Sequence, residues 1–165
     1  MELLPLERNF SIAMKKTLYS LTVLFCALSL FAGEIIENTK DGVAIKGYDP
    51  VSYHQGEPLK GSEEWTFNYA GAEFHFASEE NLKSFEADPE RYVPEYGGWC
   101  AYAMLEGDKV DINPKRYKIL NGRLYLFYDG FFGNTLKKWN HLAEDQEESD
   151  LVKQADDHWK KLSNP

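Results

Sequence analysis

The sequence predicts one small α+β domain, in which an antiparallel sheet built from two hairpins packs against helices. Three observations lead to this fold class. Aromatic and polar residues alternate in two pairs of short segments, a turn signal joins each pair, and apolar residues recur at helical spacing in the tail. We expect the domain to cover residues 33–165, after an N-terminal extension and signal peptide at residues 1–32.

The first hairpin joins the segments WTFNY and EFHF through the residues AGA. If the turn lies within AGA, Phe67 faces Phe74 and Trp65 faces Phe76 across the pair. This register puts all four aromatic side chains on one side of the hairpin. Another element must therefore cover that side.

A helix after the hairpin is the predicted cover. Ser78 is a typical N-cap residue, and Leu82 and Phe85 form an apolar stripe at helical spacing. The pair Asp88-Pro89 ends the pattern, because proline disfavours helical backbone in the residue before it.

The rest of the chain predicts a short helix, a second hairpin and two longer helices. The short helix is expected at residues 99–106, with Gly107 as its stop. Asn121-Gly122 is a strong two-residue hairpin signal. The two longer helices are expected near residues 134–142 and 147–162. In the second of them, the spacing places on one face Leu151, Ala155, His158 and Trp159.

The N-terminal residues are typical of a bacterial secretory signal. Two lysines follow Met14, an apolar run covers residues 18–32, and a signal peptidase is expected to cut after Ala32. We therefore expect an exported protein, periplasmic or secreted. The apolar run is shorter than most membrane-spanning helices, so no membrane contact is expected after cleavage, although an uncleaved anchor is the alternative.

The charge of the chain limits its partners. The formal net charge is -9, and the sequence has no cluster of Lys and Arg, which argues against a nucleic-acid binder. An acidic chain is compatible with a bound cation, although many soluble proteins are acidic for solubility alone. We expect a monomer.

Three segments, GYDPVSY, YAGAEFHFASEENLKSFEADPERY and YGGWCAYA, resemble the YHS domain family, in particular its exported single-domain branch. The resemblance extends in pattern over nearly all of residues 42–162. It implies metal binding, because the better-known YHS modules carry three cysteines associated with metal. This sequence has Ser52, Ala77 and Asn81 at those positions, so the usual metal site of the family is not carried over. We interpret the Asp49-Pro50 pair of this motif as a turn.

Cys100 is the thiol to explain. Signal cleavage would remove Cys26 and leave Cys100 unpaired in a compartment that oxidises thiols. If a helix begins near Gly98, Cys100 lies in its first turn, where backbone N–H groups stabilise a thiolate. The alternative is a small apolar residue that fills space in the core.

Met104 follows Cys100 by four residues, so within one helix the two sulfur atoms would share a face. Two soft ligands suit Cu(I) better than zinc, calcium or magnesium. His75 or His54 could supply a nitrogen ligand if the fold brings either residue close. The alternatives are a polar residue on the open side of its hairpin for His75 and a solvated loop residue for His54. The predicted metal-site residues are therefore Cys100, Met104, His75 and His54.

Three functions remain open at this stage. The leading hypothesis is a soft-metal binder, with copper favoured, that serves metal handling or tolerance and not turnover. The second is a thiol-dependent redox protein in which Cys100 reacts with an oxidant and is restored by an external thiol. The third is a binding or structural module, not an enzyme, with a buried, inert thiol.

Overall fold

A computed structural model describes residues 35–163 of the chain. The predicted signal peptide and Cys26 lie outside the described residues. Within residues 35–163, no helix is both long enough and apolar enough to span a membrane.

Strands and helices alternate along the described chain. The strands are β1 (Thr39–Lys40), β2 (Val43–Ala44), β3 (Ser62–Tyr69), β4 (Ala72–Phe76), β5 (Asn113–Leu120), β6 (Arg123–Phe127), β7 (Asp129–Gly130) and β8 (Gly133–Asn134). The α-helices are α1 (Pro50–His54), α2 (Glu79–Ala87), α3 (Ala101–Met104), α4 (Thr135–Asp145) and α5 (Glu148–Ser163). Short 3-10 turns lie at Ile45–Gly47, Pro89–Arg91 and Tyr96–Gly98.

The mixture of helices and small sheets confirms the predicted α+β class. The two predicted hairpins, β3–β4 and β5–β6, do not share one sheet. The first belongs to a four-stranded sheet of order β1-β2-β4-β3, and the second is a two-stranded sheet of its own. In the first sheet, β4 lies between β3 and β2, because β2 pairs in parallel with the edge of β4 that β3 leaves open.

The first hairpin confirms half of the predicted register. Phe67 pairs with Phe74, but Phe76 pairs with Ser62 and not with Trp65. The pairing shifts between Ser62 and Thr66, since extra residues on β3 form an irregularity of the β-bulge type. The predicted Trp65–Phe76 pair is therefore wrong.

Helix α2 covers this hairpin as predicted. The hydroxyl of Ser78 accepts a hydrogen bond from the Asn81 N–H, and Asp88 caps the other end. Phe85 is fully buried, and its ring centroid lies 4.9 Å from that of Phe74 and 5.1 Å from that of Phe76. The aromatic side chains of this helix and hairpin form the centre of a core that we call the sheet-side core.

A second core, the helix-side core, lies between β6 and helices α3, α4 and α5. Its buried members are Tyr96, Ala101, Met104, Leu105, Tyr125, Phe127, Trp139, Leu151, Ala155 and Trp159. The last three confirm the helical spacing that predicted α5. The turn at Asn121-Gly122 is also confirmed, because Leu120 pairs directly with Arg123.

Candidate functional site

The segment before Cys100 is a left-handed turn. Tyr96, Gly97 and Gly98 have φ angles of 58°, 59° and 87°. A Cβ atom on Gly97 would lie 3.0 Å from Cη2 of Trp159 and 3.0 Å from the carbonyl oxygen of Ile35. Gly97 therefore allows the chain to pack closely against α5, and this close packing explains the glycine without a ligand.

The Cys100 side chain is fully buried at the end of this turn. Its backbone N–H donates to the carbonyl oxygen of Val110 over 2.9 Å. Its Sγ accepts a hydrogen bond from the Tyr128 N–H at 3.4 Å and lies 3.3 Å from Oγ1 of Thr135. The sulfur is therefore packed beneath the start of α4.

Two protein groups are hydrogen-bond partners of the Cys100 side chain. The hydroxyl of Thr135 donates to the carbonyl oxygen of Tyr128 over 2.9 Å, so its lone pairs are free to accept the Cys100 S–H. The Tyr128 N–H donates to the sulfur in turn. Both the donor and the acceptor capacity of the thiol are used by these protein groups.

Met104 does not continue a helical face from Cys100. Cys100 is the N-cap of α3, with φ -64° and ψ 120°, and the helix itself begins at Ala101. The Cys100 carbonyl oxygen accepts the first helical hydrogen bond, from the Met104 N–H over 3.1 Å, but the backbone dihedral angles of Cys100 are extended and not helical. Cys100 belongs to the sheet-side core and Met104 to the helix-side core. The helix predicted over residues 99–106 is shorter than expected, since it begins after Cys100 and ends at Met104.

The two predicted histidine ligands have other surroundings. His75, expected on the open side of its hairpin, is only 8% exposed, and its Nε2 lies 2.7 Å from Oε1 of Glu73. His54 ends α1 and packs edge-on against Tyr92, with ring centroids 5.2 Å apart. Burial, followed by the positive charge of Arg91, lowers the pKa of His54.

A search of residues 35–163 finds no group of three or more His, Cys, Asp and Glu side chains placed to hold a metal ion. The sheet-side core contains Cys100, whereas His75 is hydrogen-bonded on β4 and His54 packs on Tyr92. The proposed ligands therefore each have a separate set of protein contacts.

A different polar cluster lies at the positions where the resemblance expects metal-binding cysteines. Its centre is the carboxylate of Asp49, which is fully buried. Oδ1 accepts from the N–H groups of Val51 at 2.8 Å and Ser52 at 3.3 Å. Oδ2 accepts from the Ala77 N–H at 2.8 Å and from Nδ2 of Asn81 at 2.6 Å. Each carboxylate oxygen therefore has two donors.

The side chains around the carboxylate extend the cluster. The Ser52 hydroxyl donates to the carbonyl oxygen of Asp49 at 2.6 Å and accepts from the Leu59 N–H at 2.9 Å. Oδ1 of Asn81 accepts from Nε2 of Gln55 at 2.9 Å. We call these residues, Asp49, Val51, Ser52, Gln55, Leu59, Ala77 and Asn81, the Asp49 cluster. It connects α1, the end of β4 and α2.

The Asp49 cluster does not fit a soft-metal centre. Ser52, Ala77 and Asn81 meet around one carboxylate, so the fold does bring the three positions together, but none of them supplies a thiol. The carboxylate oxygens already accept four hydrogen bonds, and thiolate is the ligand that soft ions prefer.

Sequence reasoning missed the Asp49 cluster. The sequence predicts a turn at Asp49-Pro50, whereas in the structure Asp49 is the N-cap of α1 with Pro50 in its first turn. An Asp followed by Pro is a typical helix start, and this signal was present in the sequence. The contact of Asp49 with Asn81 on α2 has no such local signal, because it joins segments that are distant in the chain.

Comparison with known families finds that residues 50–96 match the sequence model of the YHS domain. The matched segment begins in α1, includes the β3–β4 hairpin and α2, and ends at Tyr96, so it contains most of the Asp49 cluster. Searches of curated proteins and of solved structures give no significant match.

Proposed function

Residues 50–96 form a YHS domain, and from this premise we propose that the protein is an exported binding module, not an enzyme, in which Cys100 serves packing. The YHS family is linked to metal binding, so metal handling is the general role that family membership indicates. The chemistry of the described residues favours a narrower role for this chain.

The observation that carries the proposal is the environment of Cys100. Its sulfur is fully buried, accepts the Tyr128 N–H and contacts the Thr135 hydroxyl. Metal binding and reaction with an oxidant both need a sulfur that can be reached. Because the thiol is covered and both its hydrogen-bonding roles are used, a space-filling role fits best.

The Asp49 cluster supports the same proposal. At the positions of the family cysteines, this chain has a hydrogen-bonded carboxylate that connects two helices and a strand. A fully hydrogen-bonded buried network rigidifies the segment that contains it. The YHS domain would thus be a rigid scaffold that presents a binding surface.

Soft-metal binding is the second candidate, with copper favoured and with Cys100, Met104, His75 and His54 as its ligands. One observation favours it: Sγ of Cys100 lies 3.3 Å from Oγ1 of Thr135, the first residue of α4, and a helix N-terminus favours a thiolate. The ion could reach the sulfur only if Tyr128 and Thr135 moved away. The redox alternative at Cys100 needs the same movement.

Native-state alkylation followed peptide by peptide separates these functions. The protein is expressed with its own N-terminal segment, recovered after export, reduced, and treated with iodoacetamide with and without denaturant. We expect the Cys100 peptide to stay unlabelled in the native protein and to be labelled fully when unfolded. Intact mass from the same sample should show an N-terminus after Ala32.

Titration with Cu(I) against a competing chelator completes the experiment. The binding-module proposal predicts the same Cu(I) affinity for the wild type and for the Cys100→Ser/Met104→Leu variant. His141→Gln, which alters an exposed histidine on α4, is the matched control. Full native labelling of Cys100, or a large loss of affinity in the double variant alone, would contradict the proposal and support the second candidate.

A further inference from the structure

The small hairpin β7–β8 carries two exposed phenylalanines at its tip. The side chain of Phe131 is 95% exposed and that of Phe132 is 78% exposed. Their ring centroids are 5.3 Å apart in an edge-to-face arrangement. Single exposed apolar residues are common, but here two adjacent phenyl rings on one turn form an apolar patch that residues 35–163 leave uncovered.

The hairpin is held in place from both sides. The Phe132 N–H donates to the Tyr128 hydroxyl at 3.3 Å, and Nζ of Lys138 donates to the Phe132 carbonyl oxygen at 3.3 Å. Nε of Arg116 binds Oδ2 of Asp129 at 2.6 Å at the base of the hairpin. These contacts fix the backbone of the tip, so that the two rings are presented outward.

The charges beside the tip are positive, in contrast to the formal net charge of -9 of the chain. Asp129, the acidic residue of the hairpin, is paired with Arg116. Lys137 and Lys138 follow the hairpin in the first turn of α4, and both are exposed. Nζ of Lys138 lies 3.3 Å from the carbonyl oxygen of Phe132, so one cationic group contacts the tip, and Lys137 precedes it on α4.

We infer that Phe131 and Phe132 bind the surface of an anionic phospholipid bilayer, with Lys137 and Lys138 contacting the headgroups. Aromatic rings insert into the boundary between headgroups and acyl chains, and nearby lysines add attraction to anionic lipid. This inference rests on the binding-module proposal and names its partner. It departs from the sequence-based expectation that the processed protein has no membrane contact.

The size of the apolar tip argues against a second copy of the chain as the partner. Two phenyl side chains offer about 300–500 Å² of surface. A stable protein interface buries about 800 Å² on each partner. A bilayer needs no matching groove, and it can take up a small protruding tip.

Vesicle co-sedimentation tests the inference. Vesicles of phosphatidylcholine alone, or with phosphatidylglycerol, are mixed with the wild type and with Phe131→Ser/Phe132→Ser. All proteins have the same N-terminus, so differences between variants report on the substitutions. We expect a roughly tenfold lower partition coefficient for the double variant on anionic vesicles. Ile35→Ser/Leu162→Ser removes two other exposed apolar side chains and should bind like the wild type.

A charge variant tests whether Lys137 and Lys138 contact the anionic headgroups. Lys137→Gln/Lys138→Gln should lower binding to anionic vesicles roughly tenfold and leave binding to neutral vesicles unchanged. Equal binding of the wild type and the Phe131/Phe132 variant overturns the inference. So does a result in which the Phe variant loses only concentration-dependent self-association, because the partner is then a second copy.

Failure of the vesicle experiment can be distinguished from failure of the alkylation and Cu(I) experiments at Cys100. If the vesicle experiment fails while Cys100 stays unreactive, the protein is still a binding module, with a different partner. If Cys100 proves to be a copper ligand, the proposed function fails even when the hairpin binds lipid. Equal thermal unfolding midpoints of the variants show that no result comes from misfolding.

Discussion

The Asp49 cluster and the tip of the β7–β8 hairpin depart from the usual distribution of side chains in opposite ways. Asp49 is an acidic residue that is 0% exposed, whereas Phe131 is an aromatic residue that is 95% exposed. Burial of a charged group without partners is costly, and exposure of a large apolar group to water is unfavourable. Each feature therefore needs a compensating interaction.

The two regions differ in where that interaction is found. Four N–H groups of the chain surround the Asp49 carboxylate, so the fold itself accounts for the buried acid. Among the described residues, the rings of Phe131 and Phe132 make an aromatic contact only with each other. The comparison indicates that the first region serves the stability of the domain and that the second serves an interaction with another molecule.

The largest effect is expected when the buried acid is removed. Asp49→Ala leaves the N–H groups of Val51 and Ala77 and the Asn81 amide without their acceptor, and both Val51 and Asn81 are buried. We expect the free energy of unfolding to fall by about 3–5 kcal/mol, measured by urea denaturation. Such a loss would show that the Asp49 cluster stabilises the folded domain.

The matched control is Asp108→Ala, at an exposed aspartate just after the end of α3. Its effect should stay within about 0.5 kcal/mol. If Asp49→Ala cost no more than this control, the carboxylate would not be needed for the fold. A ligand-binding role for the Asp49 cluster would then have to be considered.

The next largest effect is a pH dependence of stability, expected from His54. It lies in α1 beside the Asp49 cluster, but its Nε2 is buried and has no hydrogen-bond partner among the described residues. Burial and the charge of Arg91 lower its pKa, so the folded protein favours the neutral ring. Protonation then favours the unfolded chain, and stability should decrease as the pH falls below the ordinary histidine value of about 6.5.

Urea denaturation at pH 7.5 and at pH 5 measures this dependence. His54→Phe keeps an aromatic ring against Tyr92 and cannot be protonated, so part of the loss at pH 5 should disappear. His141→Phe, at an exposed position, should keep the full loss. The same pH dependence in the wild type and in His54→Phe would show that the unpartnered nitrogen has no energetic consequence.

Local sequence signals predicted most of the fold. Ser78 as a helix cap, Asn121-Gly122 as a turn and the spacing of Leu151, Ala155 and Trp159 depend on neighbours in the chain, and all are confirmed. The Trp65–Phe76 pair failed, because an irregularity in β3 changes the register without a clear mark in the sequence.

The candidate site was harder to predict, because it depends on contacts between distant segments. Cys100 and Met104 are at helical spacing, yet Cys100 is the extended N-cap of α3, and the two side chains pack in different cores. The contact of Cys100 with Thr135 joins residues that are 35 positions apart. The contact of Asp49 with Asn81 spans 32 positions, and no sequence signal near Asp49 predicts it.

The smallest effect on stability is expected at the tip itself, and it tests the other half of the comparison. Phe131→Ser/Phe132→Ser removes two rings that the fold does not bury, so the free energy of unfolding should change by less than about 0.5 kcal/mol. Phe85→Ala is the contrast within one residue type. Its ring packs against Phe74 and Phe76, and its loss should cost about 3–5 kcal/mol. If the tip variant were destabilised to a similar degree, the rings would be part of the fold, and their exposure would no longer indicate a partner.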